Sequence, residues 1–186
     1  MTKTQYFTAT TVDGFIADAE NSLDWLFEVP RDGGSGEGGS FFADVGAMAM
    51  GATTYEWVYA HERLDEHPGK WGEWYGSTPT WVFTHRELPP VPDADIRFVE
   101  GDVAPVHTAM VDAAAGRNVW LVGGGELVGL FADAGLLDEI HVNLQPVFLG
   151  AGAPLLPRRL TSKRVRLESV RRDGQQALLV YSVGAR

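Results

Sequence analysis

The pattern of apolar and polar residues divides the chain into strands and helices that follow one another in turn. Apolar runs predict strands at residues 6–16 (with a tight turn at Asp13-Gly14), 47–50, 80–84, 96–99, 119–122 and 140–148. Helices are predicted at residues 53–59, at residues 105–115, where Gly116 ends the helix, and from Gly125 to about residue 134. Strands that alternate with helices indicate an α/β fold with a mainly parallel sheet.

The end of the chain has a different pattern. Two alternating segments, residues 164–171 and 177–183, flank an Asp173-Gly174 turn and predict an antiparallel hairpin. Residues 61–79 are rich in charge, tryptophan and glycine, and we predict irregular structure there.

A Gly/Ser-rich stretch, residues 33–40, cannot build a core. It is either a mobile loop near a site or a loop that is simply tolerated. Its last residue, Ser40, is predicted to cap a short helix that runs to Val45.

Composition narrows the function classes. A length of 186 residues predicts one domain over residues 1–186. The net charge of −10 disfavours a nucleic-acid binder, which needs a basic face. The chain has no cysteine, and its histidines lack metal-ligand spacing, so no metal site is predicted. No apolar run reaches the roughly 20 residues that span a bilayer, and residues 1–5 do not resemble a signal peptide, so a cytoplasmic protein is expected.

The strongest local motif is Gly123-Gly124-Gly125, between a predicted strand and a predicted helix. Glycines let the backbone approach a ligand closely, and the N–H groups of a helix start suit a pyrophosphate. Tight strand–helix turns also use glycine without any ligand, so both interpretations stay open. A Rossmann fingerprint belongs in the first βαβ unit. These glycines lie two thirds of the way along the chain, so a Rossmann fold is not expected.

Two further polar segments follow predicted strands. Gly51 precedes Thr53 and Thr54, whose hydroxyls either contact phosphate or cap a helix. Thr84 and His85 end another strand. Ligands of open α/β sheets bind at the carboxyl ends of strands, so the three segments together indicate one site.

Taken in order, these segments resemble the reductase domain of bifunctional riboflavin-biosynthesis proteins and its stand-alone relatives, which share the dihydrofolate reductase fold. The resemblance covers nearly the whole chain and rests on residues 10–17, 24–25, 51–56, 123–127, 137–142 and 146–152. Ala52 stands where an arginine is common in the family. This difference leaves the choice between NADPH and NADH open.

The resemblance implies a three-layer α/β fold: a central, mostly parallel sheet with an antiparallel C-terminal hairpin and helices on both faces. It implies a reductase that uses NAD(P)H, with NADPH favoured, and a homodimer. The substrate would be a small heterocycle, such as 5-amino-6-(5-phosphoribosylamino)uracil or a pterin. A side reductase of antibiotic or flavin chemistry and a non-catalytic nucleotide-binding module of the same fold are the alternatives.

The same resemblance implies a role for each candidate residue. The residues expected to hold the dinucleotide are Ala9, Ile16, Ala17, Gly51, Thr53, Thr54, Thr84, His85, Gly123, Gly124, Gly125, Glu126 and Leu127. Asp13 and Asp24 are the candidate catalytic residues, with an aspartate relaying a proton. Asp13 equally suits a purely structural role in its turn. Trp25 and Asn143 are expected on the substrate side.

Overall fold

The computed structural model describes residues 1–30 and 41–184. The Gly/Ser stretch and the predicted helix start at Ser40 lie outside these residues. Along the described chain the elements are β1 Thr4–Thr10, β2 Phe15–Ala17, α1 Asp24–Phe27, β3 Val45–Gly51, α2 Ala52–His61, α3 Gly69–Tyr75, β4 Thr80–Phe83, β5 Ile96–Val99, α4 Val103–Ala114, β6 Asn118–Gly123, α5 Gly125–Asp133, β7 Glu139–Leu144, β8 Ala153–Pro154, β9 Val165–Asp173 and β10 Gln176–Val183.

A central eight-stranded sheet has the order β5-β4-β3-β6-β1-β7-β10-β9. The pairs from β5 to β7 are parallel, whereas β10 runs antiparallel to both β7 and β9. Strands β2 and β8 form a separate two-stranded sheet. The predicted fold class, a mostly parallel sheet that ends in an antiparallel hairpin, is confirmed.

Two apolar cores lie on opposite faces of the sheet, because successive strand residues point to opposite sides. On β3, Ala47 and Ala49 belong to one core, with Met110 of α4 and Phe131 of α5. Met48 and Met50 of β3 belong to the other core, which contains residues of α2 and α3. Helices therefore cover both faces, as the three-layer prediction requires.

Helix α3 corrects the prediction of irregular structure at residues 61–79. Its propensity is low because Gly69 and Gly72 lie within seven residues. Trp71 is only 2% exposed in the core between α3 and the sheet. Burial of this large side chain outweighs the weak local preference.

Strand β7 is shorter than predicted, because it ends at Leu144 rather than Phe148. Pro146 lacks the backbone N–H that a ladder needs, which accounts for the early end.

Helix α4 starts two residues before the prediction. The Asp102 side chain caps it by accepting a hydrogen bond from the Ala104 N–H at 3.1 Å. Val45 begins β3 rather than ending a helix.

The β3–β6 ladder contains two irregularities. Val45 pairs with Asn118 and Ala47 with Val119, so Gly46 is an extra residue in β3. Further along, Ala49 pairs with Leu121 but Met50 pairs with Gly123, so Val122 is an extra residue in β6. The second shift cancels the first, and it lies directly before the glycine turn.

The helices are short, and α4 is one of the longer ones at 12 residues. Across residues 1–30 and 41–184, no helix has the length and apolar character needed to cross a bilayer.

Candidate functional site

A cleft of about 910 Å³ opens at the carboxyl ends of β3, β6, β1 and β7. This is the edge where open α/β sheets bind ligands. The predicted residues that line it are Ala9, Ile16, Ala17, Gly51, Thr53, Thr54, Gly123, Gly124, Gly125, Glu126, Leu127 and Asn143. The cleft thus brings together segments from four parts of the chain.

Two glycine turns lie next to each other in the lining of the cleft. A Cβ atom added at Gly51 would lie 3.8 Å from the Gly124 nitrogen and 3.9 Å from the Gly123 carbonyl oxygen. Gly123 has a φ of 148°, a conformation that side chains disfavour. A Cβ there would lie 3.6 Å from Thr54 Oγ1, which places this hydroxyl beside the turn. Because these glycines carry no side chains, their backbone atoms form the surface of the cleft at this point.

Each turn leads into a helix whose start has no side-chain cap. Gly51 and Gly124 are the N-cap residues of α2 and α5, and neither can cap through a side chain. Helix α4, by contrast, is capped by Asp102. The free N–H groups and positive dipole ends of α2 and α5 therefore meet at one cleft, which is an arrangement suited to an anion.

The third glycine of the turn has a structural reason. A Cβ at Gly125 would come within 2.4 Å of the Pro154 carbonyl oxygen and 2.7 Å of the Leu155 carbonyl oxygen. At Gly124, by contrast, the nearest atom would be Ile16 Cδ1 at 3.9 Å. Tight packing explains Gly125, as the structural interpretation of the glycine run requires, whereas Gly124 has free space around it and ligand binding there stays a prediction.

Asp13 lies outside the cleft lining and holds two loops together. Its carboxylate accepts a hydrogen bond from the Thr11 hydroxyl and from the backbone N–H groups of Leu149 (3.0 Å) and Gly150 (2.7 Å). The Thr11 hydroxyl and these N–H groups lower the pKa of Asp13, so it is ionised at neutral pH. The geometry matches the structural role considered for this residue.

Asp24 and Trp25 also lie outside the residues that line the cleft. Asp24 is exposed at the start of α1. Trp25 is only 6% exposed, and its buried Nε1 has no hydrogen-bond partner within residues 1–30 and 41–184.

Thr84 and His85 follow β4, next to the strand that carries Gly51. Gly51 pairs with Phe83, so Thr84 lies one residue beyond this pair. The Thr84 hydroxyl accepts from the Arg86 N–H at 2.9 Å. The exposed His85 ring lies 3.7 Å from the Glu100 carboxylate. Neither residue lines the cleft, but both stand at the same sheet edge.

Sequence reasoning missed several aromatic and amide residues that line the cleft, which are Phe7, Trp57, Trp120, Gln145 and Gln176. The position of Trp57 in the cleft could have been predicted, because residues three apart on a helix share a face and Thr54 was already a candidate. Gln176 had none, because only the pairing of β10 with β7 brings it to the site.

Three amide side chains form part of the cleft lining, those of Asn143, Gln145 and Gln176. Asn143 Nδ2 donates to Gln176 Oε1 at 2.9 Å. Gln145 is only 1% exposed, and its Oε1 has no hydrogen-bond partner among the residues described. Buried polar atoms are normally paired, so this buried oxygen beside the cleft is an exception among the described residues.

Comparison with known proteins gives the family. The sequence model of the RibD C-terminal domain matches residues 2–179. The chain belongs to the RibD C-terminal domain family. This family is one of reductases, so the resemblance seen in the sequence is confirmed.

Two Bacillus subtilis (strain 168) proteins are similar to this RibD C-terminal domain. The uncharacterized protein YwjB is 30% identical over 179 residues, which cover 96% of this chain and 97% of YwjB. The uncharacterized protein YyaP is 26% identical over 153 residues, which cover 79% of this chain and 76% of YyaP.

Solved structures show the same fold for this RibD C-terminal domain. A putative riboflavin biosynthesis protein from Shewanella sp. PV-4 superposes with a TM-score of 0.78 at 23% identity, covering 97% of this chain and 98% of that one. Enterococcus faecalis dihydrofolate reductase, solved with NADP(H), superposes with a TM-score of 0.59 at 10% identity, covering 97% and 96%. The dihydrofolate-reductase-like fold is confirmed.

Proposed function

We propose that the chain is a reductase that uses NADPH to reduce a small heterocyclic substrate in this cleft. The observation that carries the proposal is the meeting of two uncapped helix starts, behind Gly51 and Gly124, at a cleft that aromatic and amide side chains also line. One wall suits an anionic dinucleotide, and the other suits a flat ring.

In the proposed arrangement, the N–H groups at the starts of α2 and α5, with Thr53 and Thr54, hold the pyrophosphate. Ala9, Ile16 and Ala17 form the wall against the nicotinamide ring. Thr84 and His85, at the end of β4, meet the adenosine portion. When bound, reduced nicotinamide supplies a hydride, and the protein positions it and keeps water away.

On the substrate side, Asn143, Gln145 and Gln176 hydrogen-bond the edge of the heterocycle, which fixes the ring against the hydride donor. Asp13 is ionised and already holds the residues 149–150 loop, so the proposal moves proton transfer away from it. Within the described part of the cleft lining the acids are Glu126 and Asp173. Glu126 is bound to Arg158 at 3.0 Å, and the proposal assigns the proton relay to neither acid.

Three expectations remain predictions: the preference for NADPH over NADH, a cytoplasmic location and a homodimer. Exposed Leu167 and Val170 on the edge strand β9 support self-association through this end of the sheet.

Fluorescence titration tests the cofactor assignment. Trp57 and Trp120 line the cleft, so binding of NADPH should quench tryptophan emission saturably. Thr54→Ala should raise the Kd for NADPH about tenfold, because one hydrogen bond to a charged group is lost. The control is Thr108→Ala, since Thr108 lies on α4, where its hydroxyl donates to the Ala104 carbonyl oxygen.

An unchanged Kd in Thr54→Ala, or no quenching by NADPH and NADH, would contradict the proposal. Saturable binding together with no oxidation of NADPH across a panel of pterins and pyrimidines would favour the alternative of a non-catalytic nucleotide-binding module.

A further inference from the structure

Arg158 lies across helix α5, beside the cleft rather than among the residues that line it. Its Nε atom donates to the Asp133 carboxylate at 2.7 Å, and its Nη1 atom donates to the Glu126 carboxylate at 3.0 Å. Nη1 also donates to the Pro157 carbonyl oxygen at 2.8 Å. One guanidinium therefore bridges an acid in the first turn of the helix and the acid that ends it.

Gly129 makes room for this bridge. It lies on the same face of α5 as Glu126 and Asp133, because residues three and four apart on a helix share a face. A Cβ atom added at Gly129 would lie 2.7 Å from Arg158 Cζ and 2.8 Å from Arg158 Nε. The guanidinium thus rests directly on the helix backbone, and the Arg158 side chain is only 22% exposed.

The segment that carries Arg158 is fixed to α5 and to the loop after β1. The carbonyl oxygens of Pro154 and Leu155 pack against Gly125, at the start of α5. The Leu155 N–H donates to the Gly14 carbonyl oxygen at 2.9 Å. The backbone before Arg158 is therefore held in place, so its guanidinium is delivered to one position on the helix.

The start of α5 is subject to two opposed electrostatic effects. Glu126 lies in the first turn, where the helix dipole favours an acid. The proposed function assigns the same N–H groups and the same dipole to a pyrophosphate, which a neighbouring carboxylate repels. Helix α2, which also starts at the cleft, has no acid in its first turn. The described part of the cleft lining includes Glu126 but no lysine or arginine, so compensation has to come from beyond the lining.

We propose that Arg158 is a positioning residue for the dinucleotide: it holds and neutralises the Glu126 carboxylate, so that the start of α5 stays favourable to a pyrophosphate. Arg158 does this without touching the ligand. The inference rests on the proposed function for the identity of that ligand. Glu126 is 75% exposed, so its repulsion acts largely through solvent and has to depend on salt.

Arg158→Gln tests the role of the charge. Tryptophan quenching gives the Kd for NADPH at about 0.01 M and about 1 M salt, where charges are screened over roughly 30 Å and 3 Å. Arg158→Gln should raise the Kd about fivefold over wild type at low salt and less than about twofold at high salt. The control is Arg117→Gln, which changes the net charge equally. Arg117 is exposed and precedes β6, at the end of the sheet opposite the cleft.

Removing Glu126 separates charge from structure. Adding Glu126→Gln to Arg158→Gln should bring the low-salt Kd to within about twofold of wild type, because the repelling acid is gone. If Arg158 only tied its segment to α5, the double variant would bind no better than Arg158→Gln. Glu126→Gln alone should lower the low-salt Kd about twofold, and it tests the same repulsion if Arg158→Gln does not fold.

The conservative variant Arg158→Lys keeps the charge but loses the planar fork, so it should bind NADPH within about twofold of wild type. Circular dichroism establishes that each variant is folded. A wild-type Kd in Arg158→Gln at low salt, an equal loss at both salt concentrations, or no recovery in the double variant would each overturn the inference. A wild-type chain that binds neither NADPH nor NADH would reject the proposed function, and this inference with it.

Discussion

The two walls of the cleft are built from different parts of the polypeptide. The wall around Gly51 and Gly123–Gly125 is formed largely by backbone at two helix starts, with the Thr53 and Thr54 side chains beside it. The wall around Trp120, Asn143 and Gln176 is built from side chains. A backbone wall needs glycine at fixed places in a short segment, so a local motif specifies it. A side-chain wall is specified only by which strands become neighbours.

The largest effect should come from adding one methyl group to the backbone wall. Gly125→Ala should lower the free energy of unfolding by about 3 kcal/mol, because the new Cβ meets two backbone carbonyl oxygens that cannot rotate away. Gly124→Ala is the matched control, and it should cost less than about 1 kcal/mol because its Cβ has open space. Urea unfolding followed by circular dichroism measures both.

Equal losses in the two variants would mean that the turn tolerates no side chain anywhere, and the distinction between packing and access at adjacent glycines would be lost. A native stability for Gly125→Ala would show that residues 154–155 move aside.

A smaller effect is expected on β7, which carries polar residues of two kinds on one face. Asn143, near its carboxyl end, lines the cleft, whereas Glu139, at its amino end, is bound by Lys3, Gln5 and His141. Burial alone would raise the pKa of Glu139, but hydrogen bonds from these three side chains lower it to about 2.

Glu139→Gln should therefore lower the free energy of unfolding by about 1–2 kcal/mol at pH 7, because charge-assisted hydrogen bonds are lost. A depressed carboxyl pKa stabilises the fold above the ordinary value of 4.5 and does so less and less as pH falls toward 2. The difference in free energy of unfolding between wild type and Glu139→Gln should shrink over that range. Glu73→Gln, which changes an exposed carboxylate, should show no such difference. If the difference in free energy of unfolding did not change with pH, the charge of Glu139 would not be its cause.

The smallest effect concerns Asp13. Asp13→Asn should speed amide hydrogen exchange at Leu149 and Gly150 roughly fivefold, because their carboxylate acceptor loses its charge. The Kd for NADPH should stay within twofold. Asp18→Asn is the control, since Asp18 makes similar contacts to the N–H groups of Glu20 and Ser22. If amide exchange at Leu149 and Gly150 were unchanged while NADPH binding was weakened, Asp13 would belong to the binding site rather than to the loop structure.

The same contrast explains what the sequence could predict. Apolar runs on β3, β4 and β6 mark buried strands because both faces of those strands are covered. The glycine turns follow directly from those strands. Helix α3 escaped prediction because the burial of Trp71 is a tertiary effect.

The substrate wall depended on information that is not local. Asn143 was reached only by resemblance, and its position opposite Ala9 follows from the β1–β7 register. Gln176 and Asp173 come to the cleft because β10 pairs with β7, and no short pattern states which strand a hairpin will join.

The extra residue in β6, Val122, has a consequence for how a change of strand length would act on the cleft. Ala49 pairs with Leu121 and Met50 with Gly123, so β6 uses one more residue than β3 to reach its turn. A one-codon deletion at Val122 would give an unbroken ladder in which Gly123 still lies opposite Met50, and the cleft would lose the Val122 side chain from its lining. The two glycine turns would stay in register, so a shorter strand here would change the side chains of the cleft and leave the alignment of its backbone intact.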